Sequence, residues 1–273
     1  MAPPRLLSIA GSDSGGGAGI QADLKAFSRC GAHGMTAITA VTVQNTLAVF
    51  GVYPLPPEAI VEQVRAVTDD IGIDAVKIGM LGNVETIEAV ELALDLVGDA
   101  PIVLDPVMVA ESGARLLDEE AVDAMRTRLV PRAAVVTPNL SEARVLTEEG
   151  EETTGERLVR AVHALGPDAA VVTGGHRETA TDLFYDGAEV VPIGGERYPD
   201  GAAHGSGCTH SSVLAVYLAL GFTAEEAARQ AKQMASEAVR NGLRDIGAGA
   251  GPVDVFGFAD GRAPGSAGAG ALA

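Results

Sequence analysis

Short apolar runs, each cut off by a polar or glycine-rich turn and followed by helical periodicity, recur along this chain and restrict its fold more than any other feature. Residues 6–10, 36–43, 75–78, 102–104, 133–137 and 169–172 are rich in Val, Ile, Leu and Ala and too short for helices. They read as strands buried on both faces, and the helical stretches between them make the connections of a mostly parallel sheet. The pattern changes at 182–185 and 188–193, where two runs meet at Asp186-Gly187, the sequence signal for an antiparallel hairpin. The expected architecture is α/β, with helices on both faces of a mostly parallel sheet and an antiparallel hairpin at its edge.

A composition of 47% hydrophobic but only 4% aromatic residues, with no Trp, agrees with an aliphatic core of that kind. No internal repeat and no linker divides the chain, so residues 1–260 read as a single domain. The Gly/Ala/Pro stretch at 261–273 is expected to be disordered. A net charge of −18 disfavours a nucleic-acid or anionic-membrane surface, because no basic field is available to release counterions. Any phosphate must therefore be held locally, by amides, a metal or a few cations. Cys30 and Cys208 lack metal-ligand spacing and read as reduced thiols. The first apolar run is too short for a signal segment or a membrane span, which predicts a cytoplasmic protein.

The stretch His204-Gly205-Ser206-Gly207-Cys208-Thr209 runs directly into the apolar segment 213–220. That is a helix start whose first backbone N–H groups have no intrahelical partner, a ready site for an anion. Gly205 and Gly207 would let a phosphate approach the backbone closely. Cys208 falls in the first turn, where the helix field favours thiolate and would lower its pKa. The competing reading is a glycine-rich helix start with a small buried cysteine. Lysine is confined to Lys25, Lys77 and Lys232, so Lys232 joins Gly205, Ser206, Gly207 and Cys208 as a catalytic candidate.

Polar groups follow the other strands. Gly11 opens the loop GSDSGGGAGIQAD, which has neither Walker A nor dinucleotide-fingerprint spacing but suits a loop closing over a small molecule. Gln44, Met80, Asp105 with Val107, Asn139 with Glu142, and Thr173-Gly174-Gly175 stand at later strand ends. Open α/β sheets place ligands at that rim. Asp105 can equally cap a turn, and Asn139 with Glu142 three residues on is also a capping box. A rim with carboxylates suited to Mg²⁺, an anion hole and an amide for a small ring has the parts phosphoryl transfer needs.

The motifs IAGSDSGGGAGIQAD (9–23), TAVTVQNT (39–46), KIGML (77–81), LDPVM (104–108), TPNLSEA (137–143), GGH (174–176), HGSGCT (204–209) and GAGAGPV (247–253) occur in this order. Together they resemble the ribokinase-like family and, within it, the hydroxymethylpyrimidine/phosphomethylpyrimidine kinases of thiamine biosynthesis. The resemblance implies a three-layer α/β/α fold, ATP as phosphoryl donor, Mg²⁺ and a homodimer. It implies that Gln44 holds the pyrimidine, with Asp23, Gly11, Met80 and Val107 lining its pocket. Asn139, Thr173 and Gly175 would meet the nucleotide, and Asp105 and Glu142 the metal. Sugar kinases of this superfamily carry an aspartate base where this chain has Cys208. Thr173, in place of a frequent lysine, and His210, at a commonly apolar position, depart from the pattern. A pyridoxal kinase of the same superfamily is the alternative enzyme. A thiol hydrolase would need His204 or His210 as partner, and a non-catalytic pyrimidine-binding regulator would have no use for the carboxylates and the anion hole.

Overall fold

The computed structural model describes residues 2–174, 180–198 and 202–258. Gly175 and the tail at 261–273 lie outside them. The described strands are β1 (Arg5–Ser12), β2 (His33–Gln44), β3 (Val49–Pro54), β4 (Ala75–Ile78), β5 (Ile102–Leu104), β6 (Val135–Val136), β7 (Ala169–Val172), β8 (Asp182–Tyr185) and β9 (Val191–Ile193). They form one sheet in the order β3-β2-β1-β4-β5-β6-β7-β8-β9. From β2 to β7 all neighbours are parallel. The expected hairpin, β8 with β9, runs antiparallel at one edge.

The opposite edge is antiparallel too, because β3 folds back on β2. Nothing in the sequence announced β3. Gly51 and the prolines at 54, 56 and 57 weaken its strand signal, and an edge strand tolerates them because half of its backbone groups need no ladder partner.

Among the described residues, eight α-helices cover the sheet: α1 (Gly19–Arg29), α2 (Pro57–Asp70), α3 (Val84–Leu94), α4 (Glu119–Ala124), α5 (Leu140–Thr147), α6 (Gly155–His163), α7 (Ser206–Ala219) and α8 (Ala224–Arg240). Residues of α2 to α6 share one apolar cluster with Leu7, Ile9, Val76, Ile78, Leu104 and Val136 of the strands. Residues of α1, α7 and α8 share the other with Leu6, Ala75, Val103, Val135 and Val171. Strand side chains thus alternate between two helical layers, which makes three layers in all. The helix expected over 118–129 ends as α4 at Ala124 and continues as a π turn (Met125–Leu129) and a 3-10 turn (Val130–Arg132). Pro131 lacks the N–H that would carry the α ladder onward.

Candidate active site

A cleft of about 510 Å³ opens at the carboxyl ends of the parallel strands. Gly11, Gln44, Met80, Asp105, Val107, Asn139, Glu142, Thr173, Lys232 and the turn Gly205-Ser206-Gly207-Cys208 all line it. Residues spread over most of the chain meet there because all but Lys232, which reaches in from the middle of α8, lie at strand ends or helix starts at the same end of the sheet.

At one side, β1 leads into the glycine-rich loop, which Asp13 organises by accepting the amides of Gly15, Gly17 and Ala18 at 2.8, 3.0 and 2.8 Å. A Cβ on Gly11 would lie 3.0 Å from Met80 Cε, so glycine here makes room for the methionine that forms the pocket wall. Gln44 is tied to this loop through its backbone, with Ser14 Oγ donating to the Gln44 carbonyl at 2.7 Å. The side-chain Oε1 of Gln44 accepts from Thr42 Oγ1 at 3.2 Å, which orients the amide at the cleft. Asp23, expected in this wall, is not part of it. It is fully buried beneath the cleft, where it accepts from Ser8 Oγ at 2.6 Å and Ser212 Oγ at 2.8 Å and pairs with Lys77 at 2.9 Å.

Gly205 caps α7 with φ 84°, a conformation that favours glycine, and no side chain caps this end. The Ser206 N–H donates to the Ala203 carbonyl at 2.9 Å, so it is not one of the bare amides. Those of Gly207 and Cys208 have no backbone acceptor among the described residues. A Cβ on Gly207 would meet nothing within 4 Å, so the protein's own packing does not require glycine there. The room is on the cleft side, where an anion would approach.

Cys208 does not behave as its place in the first turn suggests. Burial pushes its thiol up to about 12, reinforced by the carboxylates Asp23 and Asp105, and the nearby Lys77 with an amide hydrogen bond from Gly19 only partly offsets them. The helix-end field is outweighed by desolvation. His204 and His210 do not partner the thiol either. His204 Nε2 lies 3.1 Å from Asp13 Oδ2, and His210 Nε2 faces Asp182 Oδ2 at 3.5 Å.

Lys77, unassigned by the sequence reading, reaches the cleft from β4 while itself fully buried. Burial would lower its pKa, yet the carboxylates of Asp23 and Asp105 raise it above the ordinary lysine value. The ammonium is therefore a fixed charge beside the turn that opens α7. A lysine in the middle of the otherwise apolar run Ala75-Val76-Lys77-Ile78 was the available signal, since lysine is almost never fully buried unless paired.

Asp105, at the end of β5, accepts from Ser211 Oγ at 3.0 Å and stands 3.9 Å from Lys77. Glu142 and Asn139 do form the capping box of α5, and Glu142 Oε1 also accepts the Met108 amide at 3.4 Å. The capping box does not withdraw them from the cleft, which both residues also line. Burial and the proximity of Asp105 push Glu142 up to about 8. Two buried carboxylates, of which Asp105 raises the pKa of Glu142 and Glu142 has no ion-pair partner among the described residues, suit a divalent cation. No group of three or more His, Cys, Asp or Glu side chains able to hold a metal occurs among the described residues. The pair fits Mg²⁺ that keeps waters and is shared with phosphates, not a resident metal cage.

Lys232 is buried and donates to Asp182 Oδ1 at 2.7 Å, and Gly174 N donates to the same oxygen at 2.9 Å. Burial alone would raise the Asp182 carboxyl, but His210 and Lys232 hold it below the usual range.

The sequence matches the phosphomethylpyrimidine kinase family over residues 13–254. A hydroxymethylpyrimidine/phosphomethylpyrimidine kinase of Streptomyces coelicolor is 47% identical over 258 residues, covering 93% of this chain and 95% of that protein. Among solved structures, the ADP complex of Bacillus subtilis pyridoxal kinase superposes with a TM-score of 0.86 at 36% identity, covering 94% of this chain and 98% of the other. The phosphomethylpyrimidine kinase of Clostridium difficile gives a TM-score of 0.76 at 39% identity, covering 86% and 99%. The chain has the ribokinase-like fold and belongs to the phosphomethylpyrimidine kinase family.

Proposed function

We propose that this chain transfers the γ-phosphoryl group of ATP to the hydroxymethyl oxygen of 4-amino-5-hydroxymethyl-2-methylpyrimidine and then to the resulting monophosphate, in thiamine biosynthesis. The observation that carries this reading is the pair of free amides at Gly207 and Cys208, which open into the same cleft as the Gln44 side chain and the Asp105 and Glu142 carboxylates. Donors fixed where charge develops stabilise a transferring phosphoryl group without reorganising. Gln44 can both donate to a ring nitrogen and accept from an exocyclic amine. Asn139, Thr173, Gly175 and Lys232 attend the nucleotide. Asp105 and Glu142 hold Mg²⁺, which when bound neutralises phosphate charge in a chain of net charge −18. A thiol near 12 stays protonated, so Cys208 shapes the turn, and a loose transition state lets the alcohol proton leave late.

The exposed apolar side chains Val41, Val43, Phe50 and Tyr53 on β2 and β3 supply a face for a homodimer, which light scattering would detect. No helix among the described residues is long and apolar enough to cross a membrane. The reading places the enzyme in the cytoplasm, where Cys208 remains reduced.

Pyridoxal phosphorylation is the second reading, favoured by the higher TM-score to the Bacillus subtilis pyridoxal kinase. Coupled ADP release with hydroxymethylpyrimidine and pyridoxal side by side decides between them. The expected result is a higher kcat/KM for the pyrimidine, and a reversal overturns it. Activity should vanish in EDTA and return with Mg²⁺. Cys208→Ala keeps every amide and should lose less rate than Gly207→Val, whose side chain fills the space beside the phosphate.

A further inference from the structure

The glycine-rich loop after β1 and the turn before α7 meet along a seam with unusually little room. A Cβ on Gly205 would lie 1.8 Å from the Gly17 carbonyl oxygen, and one on Gly17 would lie 2.1 Å from His204 Cδ2. Across this seam, 191 residues apart in sequence, His204 Nε2 faces Asp13 Oδ2 at 3.1 Å. Both side chains are buried, at 9% and 3% exposure. Asp13 needs no help from His204 for hydrogen bonding, since it already accepts three amides of its own loop. His204 is pinned from behind, its N–H donating to the Gly251 carbonyl at 3.3 Å and its carbonyl accepting from Val253 N at 3.1 Å. The contact therefore ties the loop to a fixed post.

On the loop side, Ser14 adjoins Asp13 and bonds the backbone of Gln44 in both directions, donating to its carbonyl and accepting from its N–H. On the turn side, His204 directly precedes the cap Gly205 and the free amides at Gly207 and Cys208. A buried charged or polar pair is weak evidence for stability, since apolar side chains of similar volume serve a seam as well or better. Directional contact between the two elements is what this pair adds.

We infer that Asp13 and His204 are positioning residues that lock the anion-binding turn to the acceptor loop, so that the amides at Gly207 and Cys208 are aimed at the phosphoryl group in register with the acceptor held by Gln44. This rests on kinase chemistry in the cleft and not on which acceptor is preferred. If the lock is broken, the phosphate is still bound but no longer aligned with the acceptor oxygen. Turnover falls, and water competes for the phosphoryl group.

The test uses the full chain and measures ADP release and acceptor phosphorylation in parallel, with the KM for ATP and the thermal midpoint. In the parent the two products match; a parent inactive with every acceptor would instead defeat the kinase reading itself. For His204→Ala we expect kcat to fall on the order of 10- to 100-fold, the scale set by ångström misplacement of reacting groups. The KM for ATP should stay within about threefold and ADP should exceed phosphorylated acceptor. His204→Gln, which keeps a donor toward Asp13, should recover most of the rate and restore the match. If His204→Ala does not fold, Asp13→Asn carries the same expectation of excess ADP. Matched products in both variants, or a lowered thermal midpoint with kcat unchanged, would show the pair to be packing only and overturn the inference. So would additive losses in the double variant, because two halves of one contact should not add.

Discussion

Lys77 and Ile78 are neighbours on β4, both fully buried, and they face opposite sides of the sheet. Ile78 enters the apolar cluster that residues of α2 to α6 share. Lys77 enters the layer of α1 and α7, where Ser8, Asp23, Asp105, Ser211 and Ser212 are buried around it. Around Ile78 the packing serves stability. Around Lys77 apolar burial is given up for a charge held immobile beneath the cleft, in surroundings where a fixed charge acts far more strongly than in water.

The comparison breaks first at the ion pair. Lys77→Met leaves Asp23 buried without its cation and should cost about 3–5 kcal/mol of folding stability in urea titration. Adding Asp23→Leu should return much of that stability while kinase activity stays lost. If activity returns with stability, the charged face is structural and the contrast fails. Gln44→Ala comes next, with KM for the pyrimidine rising roughly 10- to 100-fold, the scale of one or two lost hydrogen bonds, at little cost to kcat. An unchanged KM would remove Gln44 from the acceptor pocket.

On the apolar face, Ile78→Val should cost about 0.5–1.5 kcal/mol and leave kcat and KM of the folded protein alone. A change in kinetics would mean that the two faces are not separable. At Cys208 the expected effect is an absence. A thiol that loses its proton only near 12 stays neutral as the pH rises through the neutral range, so the parent should show no alkaline rise in kcat that Cys208→Ala abolishes. Such a rise between about pH 7 and 9 would reinstate a reactive thiolate there.

The smallest effect belongs to Asp13. Burial would raise its carboxyl, but the hydrogen bond from His204 and the amides of Ala18 and Gly15 hold it below the ordinary value. A depressed folded pKa contributes stability that is complete above the unfolded carboxylate range and is lost as the pH falls through the folded value. Asp13→Asn should therefore flatten the acid limb of the stability curve, and an unchanged limb would separate Asp13 from that stability.

The rim of the sheet was legible because each of its residues follows a strand that apolar runs and turn residues mark locally. Asn139 and Glu142 could be read as a capping box or as ligands; the capping box is formed, and both residues also line the cleft. Asp23 could not be placed from sequence. Its helix faces the sheet, but whether a carboxylate there lines a pocket or lies beneath one depends on Lys77, which stands 54 residues away. β3 was missed because Pro54, the prolines just after it and Gly51 mask a strand that only the edge of a finished sheet can accommodate.

By itself the sequence determined what periodicity and turn chemistry control: the α/β class, the parallel core, the hairpin of β8 and β9, and the end of the sheet at which the polar groups gather. These depend on residues a few positions apart. The tertiary structure decided the electrostatics. It turned the expected low pKa of Cys208 into one near 12, paired Asp23 with Lys77, and joined Asp13 to His204. A charge in a protein is governed by how far it is withdrawn from water and by which distant groups share that withdrawal, and neither quantity exists until the layers have closed.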